Sequence, residues 1–363
     1  MFFLEKKQYE SLNKVELKSS ALLHNLKTFE ASCPRQAMIP VLKANAYGHG
    51  LEWVGKSLDR QNLPFFAVDS LYEAYELKKA RVKTPILVMG YNRSANLNRA
   101  NSAFTFAAGD FHSLQTLCEK NLPFHLEIET GMARMGFSLE DLPAALSAIL
   151  QWKGKLDGVF THLANADQHD SDPTQSQYAI FGEALALISK AGLEPRWIHV
   201  GGSYAAHHAL PHQVNSMRLG IGLYGVMPHP TALQPALRLS SILTAIRTLK
   251  KGEAVSYGST FTAKRDMQIG TIPLGYYEAL PRSLSNKGMA EIKGQIRPLI
   301  GTICMNHCMV DLGDLEVELE EPVVLYQDEQ DHPCSILAQA EQAGVSPYEM
   351  LTRISGTLRR HGQ

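Results

Sequence analysis

From Met38 to Leu219, short apolar runs rich in β-branched and aromatic residues alternate with longer stretches of helical periodicity. That alternation restricts the segment to an α/β architecture built on parallel strands. The run from Met38 that ends on Lys43 opens the series. Further strands are expected at Phe65 to Asp69, Ile86 to Met89, Phe104 to Ala107, Phe124 to Glu129, Leu156 to His162, Trp197 to Val200 and Ser216 to Leu219. Helical patterns lie between them, for example Leu71 to Ala80, Ser113 to Lys120, Leu139 to Leu150 and Gln175 to Ala191. Eight strands in this order suggest a (β/α)₈ barrel, although a doubly wound sheet alternates similarly. The polar residues tilt the choice. Lys43, His162, Gly201-Gly202-Ser203 and Arg218-Leu219-Gly220 all fall at the C-terminal ends of expected strands, where barrel enzymes carry their chemistry.

Two other segments read differently. Lys14-Val15-Glu16-Leu17-Lys18 alternates as a half-buried strand, and Ser19-Ser20 offers a helix N-cap before Ala21 to Phe29. Beyond Leu237 come short alternating segments, Ile242 to Leu249, Gln268 to Leu274, Gly288 to Ile292 and Thr302 to Leu312. They predict a smaller all-β domain closed by helical patches at Cys334 to Ala343 and Pro347 to Ile354. The expected division is an N-terminal extension over 1–13, a barrel over 14–236 and a β-domain over 237–363.

A formal net charge of −1 gives no basic field for nucleic acid or an anionic membrane surface. No apolar run reaches membrane-spanning length, and Glu5-Lys6-Lys7 interrupts the apolar start before a signal-peptide core forms. Five cysteines with scattered spacing point to reduced thiols, and the cytoplasm is the expected compartment. Cys304 and Cys308 are too far apart for a Cys-x-x-Cys pair, and Pro211 breaks any helical ligand spacing among His207, His208 and His212. No metal site is expected, and those histidines read as surface or loop residues.

A lysine ending a buried strand has to be paired, neutralised or covalently used, unless it simply reaches out to water. Lys43 is followed by a Gly48-His49-Gly50 turn able to open a helix, an arrangement suited to covalent linkage with an aldehyde cofactor. Phosphate needs backbone N–H groups and hydroxyls from glycine turns at helix starts. Gly201-Gly202-Ser203 and Gly220-Ile221-Gly222 follow the seventh and eighth strands, where barrels often bind phosphate.

The decapeptide Val41-Leu42-Lys43-Ala44-Asn45-Ala46-Tyr47-Gly48-His49-Gly50 resembles the pyridoxal-phosphate attachment signature of the alanine racemase family. Glu129-Thr130-Gly131-Met132-Ala133-Arg134-Met135-Gly136, Thr161-His162-Leu163-Ala164 and His199-Val200-Gly201-Gly202-Ser203 extend the resemblance. So do Met217 to Gly225, Gly275-Tyr276 and Gly301-Thr302-Ile303-Cys304-Met305, in the same order along nearly the whole chain. The resemblance implies a (β/α)₈ barrel with a C-terminal β-domain, pyridoxal 5'-phosphate as cofactor, and a homodimer whose active site is shared between subunits. Its implied reaction is interconversion of L- and D-alanine for cell-wall synthesis, with Lys43 and Tyr276 as the two acid/base groups on opposite faces of the substrate. Tyr47, His162, Gly202, Ser203, Arg218, Gly220 and Ile221 are implied to bind the cofactor, Arg218 at its ring nitrogen. Arg134 and Met305 are implied on the substrate side. A free phenol ionises near pH ~10, and a polar chain Tyr276–His162–Arg218 is implied to perturb it.

Three departures from the family pattern stand out. Glu127 occupies the place where many members carry a carbamylated lysine that orients the counterpart of Arg134, so Glu127 is expected to supply that anion directly. Asn306 replaces the aspartate that usually follows Cys-Met, and Tyr277-Glu278-Ala279 replaces Ala-Asp-Gly after the tyrosine. Ser355-Gly356-Thr357 stands where a phosphate-contacting tyrosine is usual, which leaves substrate breadth open. A serine or broad-specificity racemase and a non-catalytic pyridoxal-phosphate carrier are the alternatives, and the β-domain bearing Tyr276 speaks against the carrier.

Overall fold

The computed structural model describes residues 9–97, 103–167, 172–207, 210–227 and 233–363. They form two compact units. One spans Leu23–Ala46 and Leu51–Leu223, and the other joins the chain up to Leu22 with Tyr47–Gly50 and Tyr224–Gln363.

The strands are β1 (Lys14–Leu17), β2 (Ala37–Pro40), β3 (Phe66–Val68), β4 (Ile86–Val88), β5 (Phe104–Ala108), β6 (Pro123–Glu127), β7 (Lys155–His162), β8 (Trp197–Gly201) and β9 (Ser216–Leu219), followed by those of the C-terminal segment. In the first unit β2 to β9 form an eight-stranded sheet in the order β2-β9-β8-β7-β6-β5-β4-β3. The pairs between these ordered neighbours are parallel, as in Pro40↔Leu219 and His162↔Gly201. A parallel bridge from Val41 to Ala67, with Leu42 N–H donating to Ala67 O at 2.8 Å, brings the ends of the sheet together. The result is a barrel, as expected, and not an open doubly wound sheet. Its strands are short and apolar because both faces are covered, by helices outside and by side chains within. The helices Leu71–Lys79, Phe111–Glu119, Leu142–Gln151 and Asp172–Lys190 lie close to their expected positions. Ser70 and Asp110 cap the first two with reciprocal side-chain bonds.

β1 does not join the barrel, although the sequence places it inside that segment. It pairs antiparallel with Leu237–Ile242 and parallel with Arg360–Gly362 in a nine-stranded sheet of the second unit. Val15 and Leu17 are buried while Lys14 and Glu16 are half-exposed, a period-two pattern that suits a sheet with one covered face. The expected strand Ile242 to Leu249 is really two, Leu237–Ile242 and Ala245–Leu249, because pairing changes at Leu243 and Thr244. The former pairs with Pro322–Tyr326 and the latter with Met267–Ile272. Likewise only Cys308–Gly313 is strand within Thr302 to Leu312. Gln295–Ile300 and Pro322–Tyr326 complete the sheet without having been anticipated. His212 sits exposed in a turn, the side chain of His207 is not described, and His208 lies outside the described residues.

Candidate active site

After β2 the chain does something the sequence did not announce. Ala44, Asn45, Ala46 and Tyr47 all have positive φ, at 54°, 55°, 52° and 51°, so four consecutive L-residues run left-handed. Such a conformation costs roughly 1–2 kcal/mol per residue, so something must compensate. Ala46 N–H closes the turn onto Leu42 O at 2.8 Å. Ala44 N–H donates to Glu73 Oε1 at 2.7 Å, and Asn45 Oδ1 accepts Leu51 N–H at 2.8 Å where the helix Leu51–Leu58 begins. The expected helix therefore starts at Leu51, and the strained turn before it holds Lys43 exposed at the C-terminal mouth of the barrel.

Inside the barrel β6, β8 and β9 each contribute one polar face. His125 and Glu127 alternate on β6, His199 and Gly201 on β8, Ser216 and Arg218 on β9. Arg218 is only 2% exposed. Its Nη1 meets His199 Nδ1 at 2.5 Å, its Nη2 donates to Thr161 O at 2.7 Å, and the same Nη2 lies 3.2 Å from His162 Nδ1. The guanidinium carbon stands 4.9 Å from the ring centre of Phe160, which also stacks on His199. His199 Nε2 in turn lies 2.8 Å from His125 Nδ1, and His125 Nε2 faces Asp157 Oδ2 at 3.6 Å. Gly201 permits this convergence. A Cβ there would fall 2.1 Å from Arg218 Nη2 and 2.2 Å from His162 Nδ1, so only glycine lets the two groups meet.

The surroundings hold all three histidines neutral. Burial, then the positive charges of Arg218, Arg134 and Lys43, push His162 down to about 3. Those charges gather at one mouth of the barrel. Burial and then Arg218 drive His199 well below its ordinary value. Burial also lowers His125, against the opposing pull of Asp157. Glu127 is 5% exposed, and burial raises its carboxyl, while Arg218 and then Arg134 draw it back down. The expected association of Glu127 with Arg134 is thus one of charge, and Arg218 shares it.

At the neighbouring strand ends, Ser203 Oγ accepts Gly220 N–H and Gly222 N–H, both at 3.0 Å. Its own hydroxyl hydrogen is thereby directed elsewhere. In the 3-10 turn Ile221–Tyr224, Gly222 N–H is taken by Ser203 Oγ and Leu223 N–H by Gly220 O, so Ile221 N–H leads the turn. A hydroxyl donor beside such an N–H group fits a phosphate ester, and a buried guanidinium fits an unprotonated ring nitrogen. The donor set of the barrel therefore suits pyridoxal 5'-phosphate. Tyr47, by contrast, belongs to the second unit, where its ring packs 5.0 Å from Tyr224 and 6.0 Å from Tyr348.

The second unit also carries Tyr276 and Met305, 41% and 55% exposed. Tyr276 lines an open cleft of about 330 Å³ with Tyr257, Arg282, Ile303, Cys304 and Arg353. His125, Asp157 and Phe160 are the contributors that sequence reasoning missed, and Thr161 and His199 were read only as parts of their motifs, with no role of their own. The signal was there in part: a histidine two residues before Glu127 on one strand and two before Gly201 on another is a polar stripe inside a barrel.

Comparison with known proteins agrees with this geometry. Residues 17–228 match the family model for the alanine racemase N-terminal domain, and residues 236–362 match that for the C-terminal domain. The alanine racemase of Citrifermentans bemidjiense is 32% identical over 94% of this chain and 96% of its own length. That of Sorangium cellulosum is 32% identical over 96% and 98%. Among solved structures, alanine racemase from D-cycloserine-producing Streptomyces lavendulae superimposes with a TM-score of 0.92 at 26% identity, covering 98% of both chains. The Bacillus anthracis alanine racemase with bound L-Ala-P gives a TM-score of 0.89 at 26% identity, covering 98% and 96%. With both domains matched in order along nearly its full length, this chain belongs to the alanine racemase family.

Proposed function

We propose that this chain is a pyridoxal-phosphate-dependent racemase that interconverts L- and D-alanine, works as a homodimer in the cytoplasm, and supplies D-alanine for peptidoglycan. The observation that carries the reading is the buried Arg218 meeting His162 Nδ1 at 3.2 Å over Gly201, at the barrel mouth where Lys43 is exposed.

When bound, the cofactor supplies the electron sink that makes an α-proton removable. Lys43 would hold it and would carry a proton to or from one face of the substrate. Ser203, Gly202, Gly220 and Ile221 hold the phosphate, and the family resemblance adds Tyr47. Arg218 would face the ring nitrogen. A guanidinium cannot readily give up its proton, so it would leave that nitrogen unprotonated and limit electron withdrawal, favouring return of the proton over side reactions. Arg134 would meet the cofactor's phenolate oxygen and help orient the substrate carboxylate, with Glu127 in support, and the family resemblance adds Met305 on the substrate side. The opposite face is served by Tyr276 of the partner subunit.

The test is direct. Purified protein is expected to be yellow, and borohydride should bleach that colour while fixing the cofactor covalently to Lys43. Lys43→Ala should lose both the reducible linkage and racemisation. A colourless wild-type protein that takes up no cofactor overturns the reading. The turn Ser355-Gly356-Thr357 carries no aromatic ring, which motivates one further comparison, turnover on alanine, serine and lysine. Serine turned over as fast as alanine would establish the broad-specificity alternative.

A further inference from the structure

Tyr276 stands on a loop that backbone bonds tie to its neighbour and that one buried carboxylate braces from both sides. The strands Met267–Ile272 and Cys308–Gly313 pair antiparallel, with Ile272 opposite Cys308. Beyond that pair two loops run side by side. Tyr276 N–H donates to Cys304 O at 3.1 Å, and Tyr277 N–H donates to Met305 O at 2.9 Å. The approach is close enough that a Cβ on Gly275 would fall 2.2 Å from Cys304 O and 2.5 Å from Met305 O. Glu278, only 8% exposed, closes the assembly. Its Oε2 accepts Gly275 N–H at 2.8 Å, its Oε1 accepts Asn306 Nδ2 at 2.6 Å, and its backbone carbonyl accepts Ser355 N–H at 2.7 Å.

We propose that Glu278, paired with Asn306, is a positioning residue that fixes the Tyr276 loop to the Cys304–Asn306 loop and so sets where the Tyr276 phenol points. The inference rests on reading Tyr276 as an acid/base residue. The physical case is that Tyr276 is 41% exposed over an open cleft, so core packing does not fix its ring and the backbone must. Hydrogen bonds to an ionised acceptor are short and strong, and Glu278 spends one oxygen on each loop. Asn306 is the matching partner because it brings a donor. An aspartate there would set two carboxylates against each other at hydrogen-bond distance.

The experiment uses Glu278→Gln, Asn306→Asp and the double variant, with amide hydrogen exchange on protein freed of cofactor and racemisation kinetics on the holoenzyme. In Glu278→Gln the Asn306 amide has to turn over to accept from the new side-chain amide, and both bonds lose their ionised acceptor. Exchange at Tyr276 and Tyr277 should accelerate by about tenfold or more, and kcat should fall by a similar factor, with KM for alanine shifted far less. In the double variant the carboxylate and the amide donor exchange places across the two loops, so both readouts should return towards wild type. Unchanged exchange at Tyr276 and Tyr277 in Glu278→Gln overturns the proposal, as does a double variant no better than the worse single one. Because exchange is measured without turnover, a wild-type protein inactive on alanine would sink the functional reading and still leave this brace to be decided.

Discussion

His125 Nδ1 lies 2.8 Å from His199 Nε2 inside the barrel, and only one of those nitrogens can carry the hydrogen between them. Arg218 decides which. A guanidinium only donates, so His199 Nδ1 must accept, which places the hydrogen of neutral His199 on Nε2. His125 Nδ1 then accepts, and the hydrogen of His125 sits on Nε2, facing the Asp157 carboxylate. The cation at one end and the anion at the other thus agree on a single proton order through two neutral rings, and a buried Arg218 gains a distant counter-charge. Nitrogen-15 spectra of labelled histidine should show Nδ1 bare on both residues. Asp157→Ala should leave both tautomers in place, because Arg218 fixes His199 and His199 in turn fixes His125. A protonated Nδ1 on His199 in the wild-type protein contradicts this order.

Three histidines held neutral make the fold acid-sensitive. His162 stays unprotonated until about pH 3, and His125 and His199 also have lowered values, whereas the unfolded chain protonates its histidines near pH ~6.5. Below about pH 6.5 the unfolded state therefore binds more protons, and stability falls as pH falls. The thermal midpoint should drop steadily from pH 6.5 towards 3, and His162→Gln should reduce the steepness of that decline. An identical acid slope in the variant rules out His162 as a contributor.

Glu127 is buried, and the positive charges of Arg218 and Arg134 act on its carboxyl against the effect of burial. Glu127→Gln keeps the shape and removes the charge, so the hold on Arg134 should loosen. The expected result is a rise in KM for alanine and a fall in kcat/KM of about tenfold, equivalent to about 1.4 kcal/mol. Kinetic constants indistinguishable from wild type would falsify this role.

The left-handed turn offers a stability test of unusual sign. Ala44 is exposed at φ 54°, a region glycine enters freely. Ala44→Gly should stabilise the protein or leave it unchanged, by up to about 1 kcal/mol, although the same change in a right-handed helix costs about that much. Denaturant unfolding of the two proteins measures it, and a clear loss of stability would show that the turn is not strained at this position.

Local pattern was enough to read the eight barrel strands, the order of the helices and the strand ends bearing Lys43, His162, Arg218 and the two glycine turns. Each of these depends on neighbours a few residues away, through periodicity, capping and turn chemistry, and the motifs added the family. What the residues could not disclose by themselves was every pairing across long separations. β1 reads as a strand, yet only the buried sides of Val15 and Leu17 meeting Leu237–Ile242 and Arg360–Gly362 assign it to the β-sheet. Four left-handed residues after Lys43 need Glu73 and Leu51 to hold them, and local propensity opposes them. Asp157, His125, His199 and Arg218 are ordinary polar residues until parallel strands bring them into register. Burial then removes the water that would otherwise satisfy each one separately, and that leaves them only one another.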